Sequence, residues 1–238
     1  MLRFAALLAS CALPVHATCA ADAMLVLDGS ASMAEIGFDV AGPTRISEAR
    51  EAIGRVMPEV ERVRRIGLLT YGPGGAGACD GIEMRLPPIP RAADALIAEA
   101  EALRPAGLTP LADAVEAAAE ALLFRTRPAI VVLVTDGNET CGGTPCALAD
   151  RLMAEASDLT VHVIGFRAAP DLFAWNNPEQ VRVTGDTAAR CLADRTGGLF
   201  VGTETVAELE VALMETLGCA LIGQERRATI SGRGSQPG

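Results

Sequence analysis

The stretch Met24-Leu-Val-Leu-Asp-Gly-Ser-Ala-Ser-Met33 sets one carboxylate and two hydroxyls, Asp28, Ser30 and Ser32, at alternate positions after a short apolar run. Two later stretches offer the same kind of atom: Thr109 in Gly107-Leu-Thr-Pro-Leu111 and Asp136 in Thr135-Asp-Gly-Asn-Glu139. Five hard oxygen donors, only two of them anionic, suit Mg2+, which prefers octahedral oxygen coordination and takes few carboxylates; Mn2+ and Ca2+ share the preference for oxygen. Each piece alone has a plainer reading. Asp-Gly-Ser and Asp-Gly favour turns, and Thr109 before Pro110 fits a helix cap followed by proline at the first helical position.

The donors do chemistry together only if the fold brings three loops to one place. Met24–Leu27 is a continuous apolar run that predicts a buried parallel strand. Helical spacing of Ile46, Ala49, Ile53, Val56 and Met57 predicts a helix over Arg45–Val60. A strand follows at Ile66–Tyr71, then a Gly-rich loop. A short edge strand at Ile82–Leu86 ends before Pro87-Pro88, and a helix covers Ala92–Leu103. Thr109-Pro110 opens an alanine-rich helix to Leu123, and Ala129–Val134 is the clearest buried strand. Further along come a helix at Cys146–Ser157, a strand at Thr160–Phe166 and a helix at Thr187–Thr196. Leu199–Val201 is a short strand and Val206–Leu217 a last helix. This alternation predicts an α/β fold with a mostly parallel sheet and helices on both faces, in which ligands sit at the carboxyl ends of strands. With strand 24–27 beside strand 129–134, the five donors converge.

The chain has 238 residues, half of them apolar and 3% aromatic, enough for one core packed by aliphatic side chains. A formal charge of −10 and the lack of a basic run exclude nucleic acid as a natural partner. MLRFAALLASCALPVHA reads as a secretory leader cut after Ala17, which takes the charge to −11 and places the protein in the periplasm or outside the cell. Lipidation at Cys11 is a lesser reading, because the apolar stretch before it is short. The expected organisation is a leader at 1–17, one domain at 18–220 and a polar tail at 221–238, with an insertion at 168–186. Cleavage leaves six cysteines, Cys19, Cys79, Cys141, Cys146, Cys191 and Cys219, an even number that suggests disulfides in an oxidising compartment. Cys141 and Cys146 are close enough in sequence to close a small loop. Zinc is disfavoured, since the CxxxxC spacing has no second pair and one histidine, His162, remains.

Asp28-Gly-Ser-Ala-Ser32, Thr109 in GLTPL and Asp136 in TDG together resemble the metal-ion-dependent adhesion site of the von Willebrand factor type A family. The resemblance spans roughly Ala23 to Leu217 and fills all five ligand positions in order. It implies a Rossmann-like, doubly wound, six-stranded sheet with one antiparallel edge strand. It further implies that the serines bind the metal directly, and that the acids and Thr109 bind directly or through water. A free coordination position then takes an acidic side chain from a protein partner. The expected output is binding rather than turnover, by a monomer. Secreted bacterial members look similar around Cys79-Asp, Glu139-Thr-Cys, Pro145-Cys and Cys191-Leu-Ala. This places those four cysteines on the metal's face, with Cys141–Cys146 and Cys79–Cys191 as the first-choice pairs and the other pairings open. Cys19 and Cys219 are expected to bridge at the opposite face and to restrain the last helix.

Other readings fare worse. Gly72-Pro-Gly-Gly-Ala-Gly77 has the spacing of a dinucleotide loop but runs into Ala78-Cys-Asp-Gly81, where the phosphate mechanism needs a helix, so no dinucleotide is expected. A phosphatase with an aspartate nucleophile needs a second acid two residues later, and Ser30 stands there. A serine hydrolase needs a GxSxG elbow, and His162 lies inside an apolar strand. A structural module whose metal only holds loops together is the alternative from another class.

Overall fold

The computed structural model describes residues 19, 21–36, 42–75, 77–167 and 189–219. The leader 1–17, the insertion 168–186 and the tail 221–238 lie outside the described residues. Six strands, β1 (Asp22–Asp28), β2 (Ile66–Tyr71), β3 (Glu83–Ile89), β4 (Pro128–Thr135), β5 (Asp158–Phe166) and β6 (Phe200–Thr203), form one sheet in the order β3-β2-β1-β4-β5-β6. All neighbours pair in parallel except β2 with β3. The helices are α1 (Arg45–Val60), α2 (Ala93–Ala102), α3 (Leu111–Ala121), α4 (Pro145–Glu155), α5 (Arg190–Thr196) and α6 (Val206–Leu217).

Strand alternation sorts the apolar residues into two layers. Leu25 and Leu27 of β1 pack with Ile53 and Met57 of α1, Leu96 of α2 and Leu213 of α6. Met24 and Val26 point the other way, onto Val115 of α3, Leu152 of α4 and Leu192 of α5. Both faces of β1 are therefore dry, which is why its sequence is a run rather than an alternation. Each such fully buried aliphatic side chain contributes about 1.5–3 kcal/mol of burial free energy.

The chain leaves β1 for β2 on one side and later returns to β4 on the other. The carboxyl ends of β1 and β4 thus flank the switch in strand order, where such sheets open a crevice.

Two local expectations are corrected. β3 does not stop at Pro87-Pro88 but runs through both prolines to Ile89. Between the pairs Ile66↔Ile89 and Leu68↔Leu86, β3 advances one residue more than β2, so the prolines occupy a bulge on an edge strand, where a missing N–H breaks no ladder. Gly67 permits the approach, since a Cβ there would lie 2.6 Å from the Leu86 carbonyl oxygen. The second correction concerns the cysteines: Cys79 joins Cys141, and Cys146 joins Cys191. Cys146 lies in the first turn of α4, which packs on α5, and its Cα is 5.0 Å from that of Cys191. Cys141 precedes the left-handed Gly142, on the loop that meets the β2–β3 connection. Cys19 joins Cys219, a bridge between the start of β1 and the end of α6.

Candidate functional site

Asp28 ends β1 with its side chain on the α3 side of the sheet, fully buried. Its Oδ1 accepts the Ser30 backbone N–H at 2.8 Å, and its Oδ2 accepts the Thr135 hydroxyl at 2.6 Å. The Thr135 hydroxyl in turn accepts the Gly137 N–H at 3.2 Å, which ties the ends of β1 and β4 together. Beneath them Gly72 has φ 98°, and a Cβ there would fall 2.2 Å from the Gly29 carbonyl oxygen; only glycine lets the loop pass. The glycine-rich segment thus supports the Asp28 turn and leads to β3, with no helix after it.

After Asp28 the chain makes a single 3-10 turn, Ala31–Ala34. The Ser30 and Ser32 hydroxyl oxygens lie 3.0 Å apart, and the Ser32 hydroxyl donates to Asp136 Oδ1 at 2.8 Å. Because Ser32 spends its proton on Asp136, Ser30 donates to Ser32. Two hydroxyls and one carboxylate oxygen therefore follow one another at 3.0 and 2.8 Å.

Thr109 is buried but is not the helix cap its neighbour suggests. Pro110 occupies the N-cap of α3, and no side chain caps it there. Glu139 does related work: its Oε2 accepts the Ala112 N–H and its Oε1 the Cys141 N–H, each at 2.8 Å. Thr140 holds Thr109 by its backbone, accepting the Thr109 N–H at 2.8 Å through its hydroxyl and donating its own N–H to the Thr109 carbonyl at 3.0 Å. The Thr109 loop is also tied to the first loop, by Ala106 N–H to the Gly29 carbonyl at 2.8 Å and Ala31 N–H to the Gly107 carbonyl at 3.2 Å. Asp28, Ser30, Ser32 and Asp136 are thus linked through side-chain bonds and their immediate neighbours, while Thr109 joins through its backbone.

Arg45, the first residue of α1, is the addition the sequence reading missed. Its Nη1 donates to Asp136 Oδ2 at 2.7 Å, to the Ser32 carbonyl at 3.1 Å and to Glu35 Oε2 at 3.3 Å. A cation at a helix N-terminus opposes the helix dipole, so an arginine there signals a specific partner. Burial, and then the Asp28 charge, raises the Asp136 pKa, against the pull of the Ser32 and Arg45 hydrogen bonds. Tyr71, paired across from Asp28, is fully buried; burial first and the Asp28 charge next push its pKa well up.

His162 lies on β5, where its Nδ1 accepts the Leu199 N–H at 3.0 Å, a structural role remote from Asp28. Among the described residues no three of His, Cys, Asp or Glu gather as a metal cluster, so a cation at the β1–β4 crevice would rest on hydroxyls as much as on carboxylates. No helix among them is long and apolar enough to cross a membrane.

Residues 23–139, which include Asp28, Ser30, Ser32, Thr109 and Asp136, match the model of the von Willebrand factor type A domain. YwmD of Bacillus subtilis (strain 168) is 33% identical over 112 residues, 46% of this chain and 44% of that protein, so the match spans less than half of it. Among solved structures, BatB from Bacteroides thetaiotaomicron superposes with a TM-score of 0.56 at 18% identity, covering 82% of this chain and 98% of that one. Proximal thread matrix protein 1 from the mussel byssus, in a structure with a zinc-occupied MIDAS motif, gives 0.54 at 16% identity over 84% and 48%. Fold, sheet order and sequence match agree: the chain carries a domain of the von Willebrand factor type A family.

Proposed function

We propose that this protein binds one divalent cation, Mg2+ in the first instance, through Asp28, Ser30, Ser32, Thr109 and Asp136, and uses it to hold an acidic side chain of a protein partner. The observation that carries the reading is the run of Ser30, Ser32 and Asp136 oxygens at 3.0 and 2.8 Å. Adjacent ligands of an octahedral magnesium ion, each about 2.0–2.1 Å from the metal, lie about 2.9 Å apart. The donor chemistry fits as well. Asp28 is buried with two hydrogen-bond donors and no cationic side chain among its bonds, a setting that favours a positive charge nearby. The solved relative with a zinc-occupied MIDAS motif supports the same use of the fold.

A bound cation supplies Lewis acidity for one further anionic oxygen, and two carboxylates do not exhaust it. The chain's own residues orient the donors: Thr135 fixes Asp28, Arg45 fixes Asp136, and Thr140 fixes Thr109. Phosphoryl transfer is disfavoured because Ser30 stands where a proton-transferring acid would be needed. Three disulfides and the leader-like N-terminus support secretion to the periplasm or beyond.

The test is thermal unfolding in Mg2+ or Mn2+ against chelator. The midpoint is expected to rise with metal in the wild type and to stay put in Asp28→Ala; a metal-independent midpoint, or the same rise in the variant, refutes the assignment. Partner binding that survives saturation with a small carboxylate would favour a metal that only holds loops together.

A further inference from the structure

We propose that Arg45 is the ligand-selecting residue of this site: it weakens the hold on the cation and strengthens the hold on the partner's carboxylate. The inference rests on the cation-binding reading above and goes beyond it, because Arg45 belongs to none of the five donor positions.

Three observations carry it. First, the guanidinium sits directly on a donor, with Nη1 2.7 Å from Asp136 Oδ2, while Ser32 holds Oδ1 of the same carboxylate. Second, among the described residues only one of its three nitrogens is used. Nη1 serves Asp136, Ser32 and Glu35, whereas Nε is buried without a partner and Nη2 enters none of the hydrogen bonds. Nε is closed off from solvent, so the guanidinium N–H left for an incoming carboxylate is that of Nη2, beside the Nη1 that faces Asp136. Third, the Arg45 side chain is 17% exposed while that of Asp136 is 0% exposed, so Arg45 reaches solvent where the carboxylate it holds does not.

Charge counting gives the direction. Asp28, Asp136 and Arg45 sum to one negative charge, and a divalent cation turns this group positive; Glu35, 3.3 Å from Arg45 Nη1 but 65% exposed, is screened by solvent and offsets little of it. With Arg45 neutralised, the donors would carry two negative charges and the loaded site none. The cation would then bind more tightly and attract a carboxylate less. This matters for a chain of formal charge −10, whose long-range field repels acidic partners. A net positive loaded site with a spare guanidinium N–H at Nη2 supplies the attraction locally.

The experiment titrates MgCl2 into wild type, Arg45→Gln and Arg45→Lys by calorimetry. Acetate is then added to each magnesium-saturated protein and followed by the amide shifts of Gly29, Ser30 and Gly137. Arg45→Gln is expected to bind magnesium about tenfold more tightly or better, the scale of removing a nearby unit charge even at water's dielectric. It is also expected to bind acetate more weakly. Arg45→Lys, which keeps the charge and loses the Nη2 donor, is expected to gain less magnesium affinity and still lose acetate. Magnesium affinity unchanged or reduced in folded Arg45→Gln overturns the proposal, as does acetate affinity unchanged in Arg45→Lys. Wild-type protein that binds no magnesium overturns the cation-binding reading itself, and the proposal with it.

Discussion

Ser32 donates its hydroxyl proton to Asp136 Oδ1 at 2.8 Å across 104 residues of sequence, joining the loop after β1 to the loop after β4. The bond sets the direction of the whole chain of donors, since Ser30 must then donate to Ser32. Ser32→Ala removes the middle oxygen from that chain. Magnesium affinity is expected to fall at least tenfold, while stability falls by about 1–3 kcal/mol, the cost of leaving the buried Asp136 Oδ1 without its donor. Calorimetric titration beside urea unfolding separates the two quantities.

Thr135 orients Asp28 from β4 by a 2.6 Å hydrogen bond to a fully buried carboxylate oxygen. Thr135→Val keeps the shape and β-branching but removes the donor, at an expected cost of about 1–3 kcal/mol. Thr135→Ser is expected to recover most of it, and urea midpoints of the three proteins give the comparison.

The two ends of the sheet are stapled for different purposes. Cys79 follows Ala78, whose carbonyl accepts the Leu108 N–H at 3.0 Å, and Cys141 follows Thr140, which holds Thr109. Replacing both by serine is expected to loosen the Thr109 loop and lower magnesium affinity more than it lowers stability. Cys19–Cys219 spans 200 residues at the far end, so Cys19→Ser with Cys219→Ser is expected to do the reverse, with a ceiling of about 5 kcal/mol from chain entropy. Paired melting and magnesium titrations check the contrast; equal losses in both proteins would refute it.

His162 titrates far from the cation site. Burial, and then the Arg64 charge, lowers its pKa from 6.5 to about 4. The unfolded chain therefore takes up the proton first as pH falls, and the stability tied to neutral His162 is complete above pH 6.5 and lost as pH falls toward about 4. Between pH 6.5 and 5 the urea midpoint of the wild type is expected to drop. His162→Asn, which retains an acceptor for the Leu199 N–H, is expected to drop less.

What could be read from the residues depended on whether the information was local. The helices at 45–60 and 206–217 and the strand at 66–71 have the expected bounds, because apolar periodicity and end signals coincide there. The edge strand ran past Pro87-Pro88 because a bulge opposite Gly67 absorbs the missing donors, a feature of pairing that no local rule contains. The Asp28, Ser30, Ser32 and Asp136 grouping followed from strand ends meeting at the switch point. Arg45, Thr135 and Glu139 went unassigned because their partners lie 91, 107 and 27 residues away. Cys19–Cys219 forms as expected, whereas the Cys141–Cys146 and Cys79–Cys191 pairs failed for the same reason: proximity of Cys141 and Cys146 in sequence says nothing of α4 packing on α5. An arginine at a helix N-terminus was the one local sign that could have been used.

The most direct test of the central claim is water-proton relaxation with Mn2+ as the probe, because it reports a bound metal and its open coordination position together. One Mn2+ per chain is predicted, with enhanced relaxation that acetate reduces by displacing the exchangeable water, and no enhancement in Asp28→Ala. Wild-type protein without enhancement, enhancement indifferent to acetate, or an Asp28→Ala variant that behaves as wild type would contradict the account.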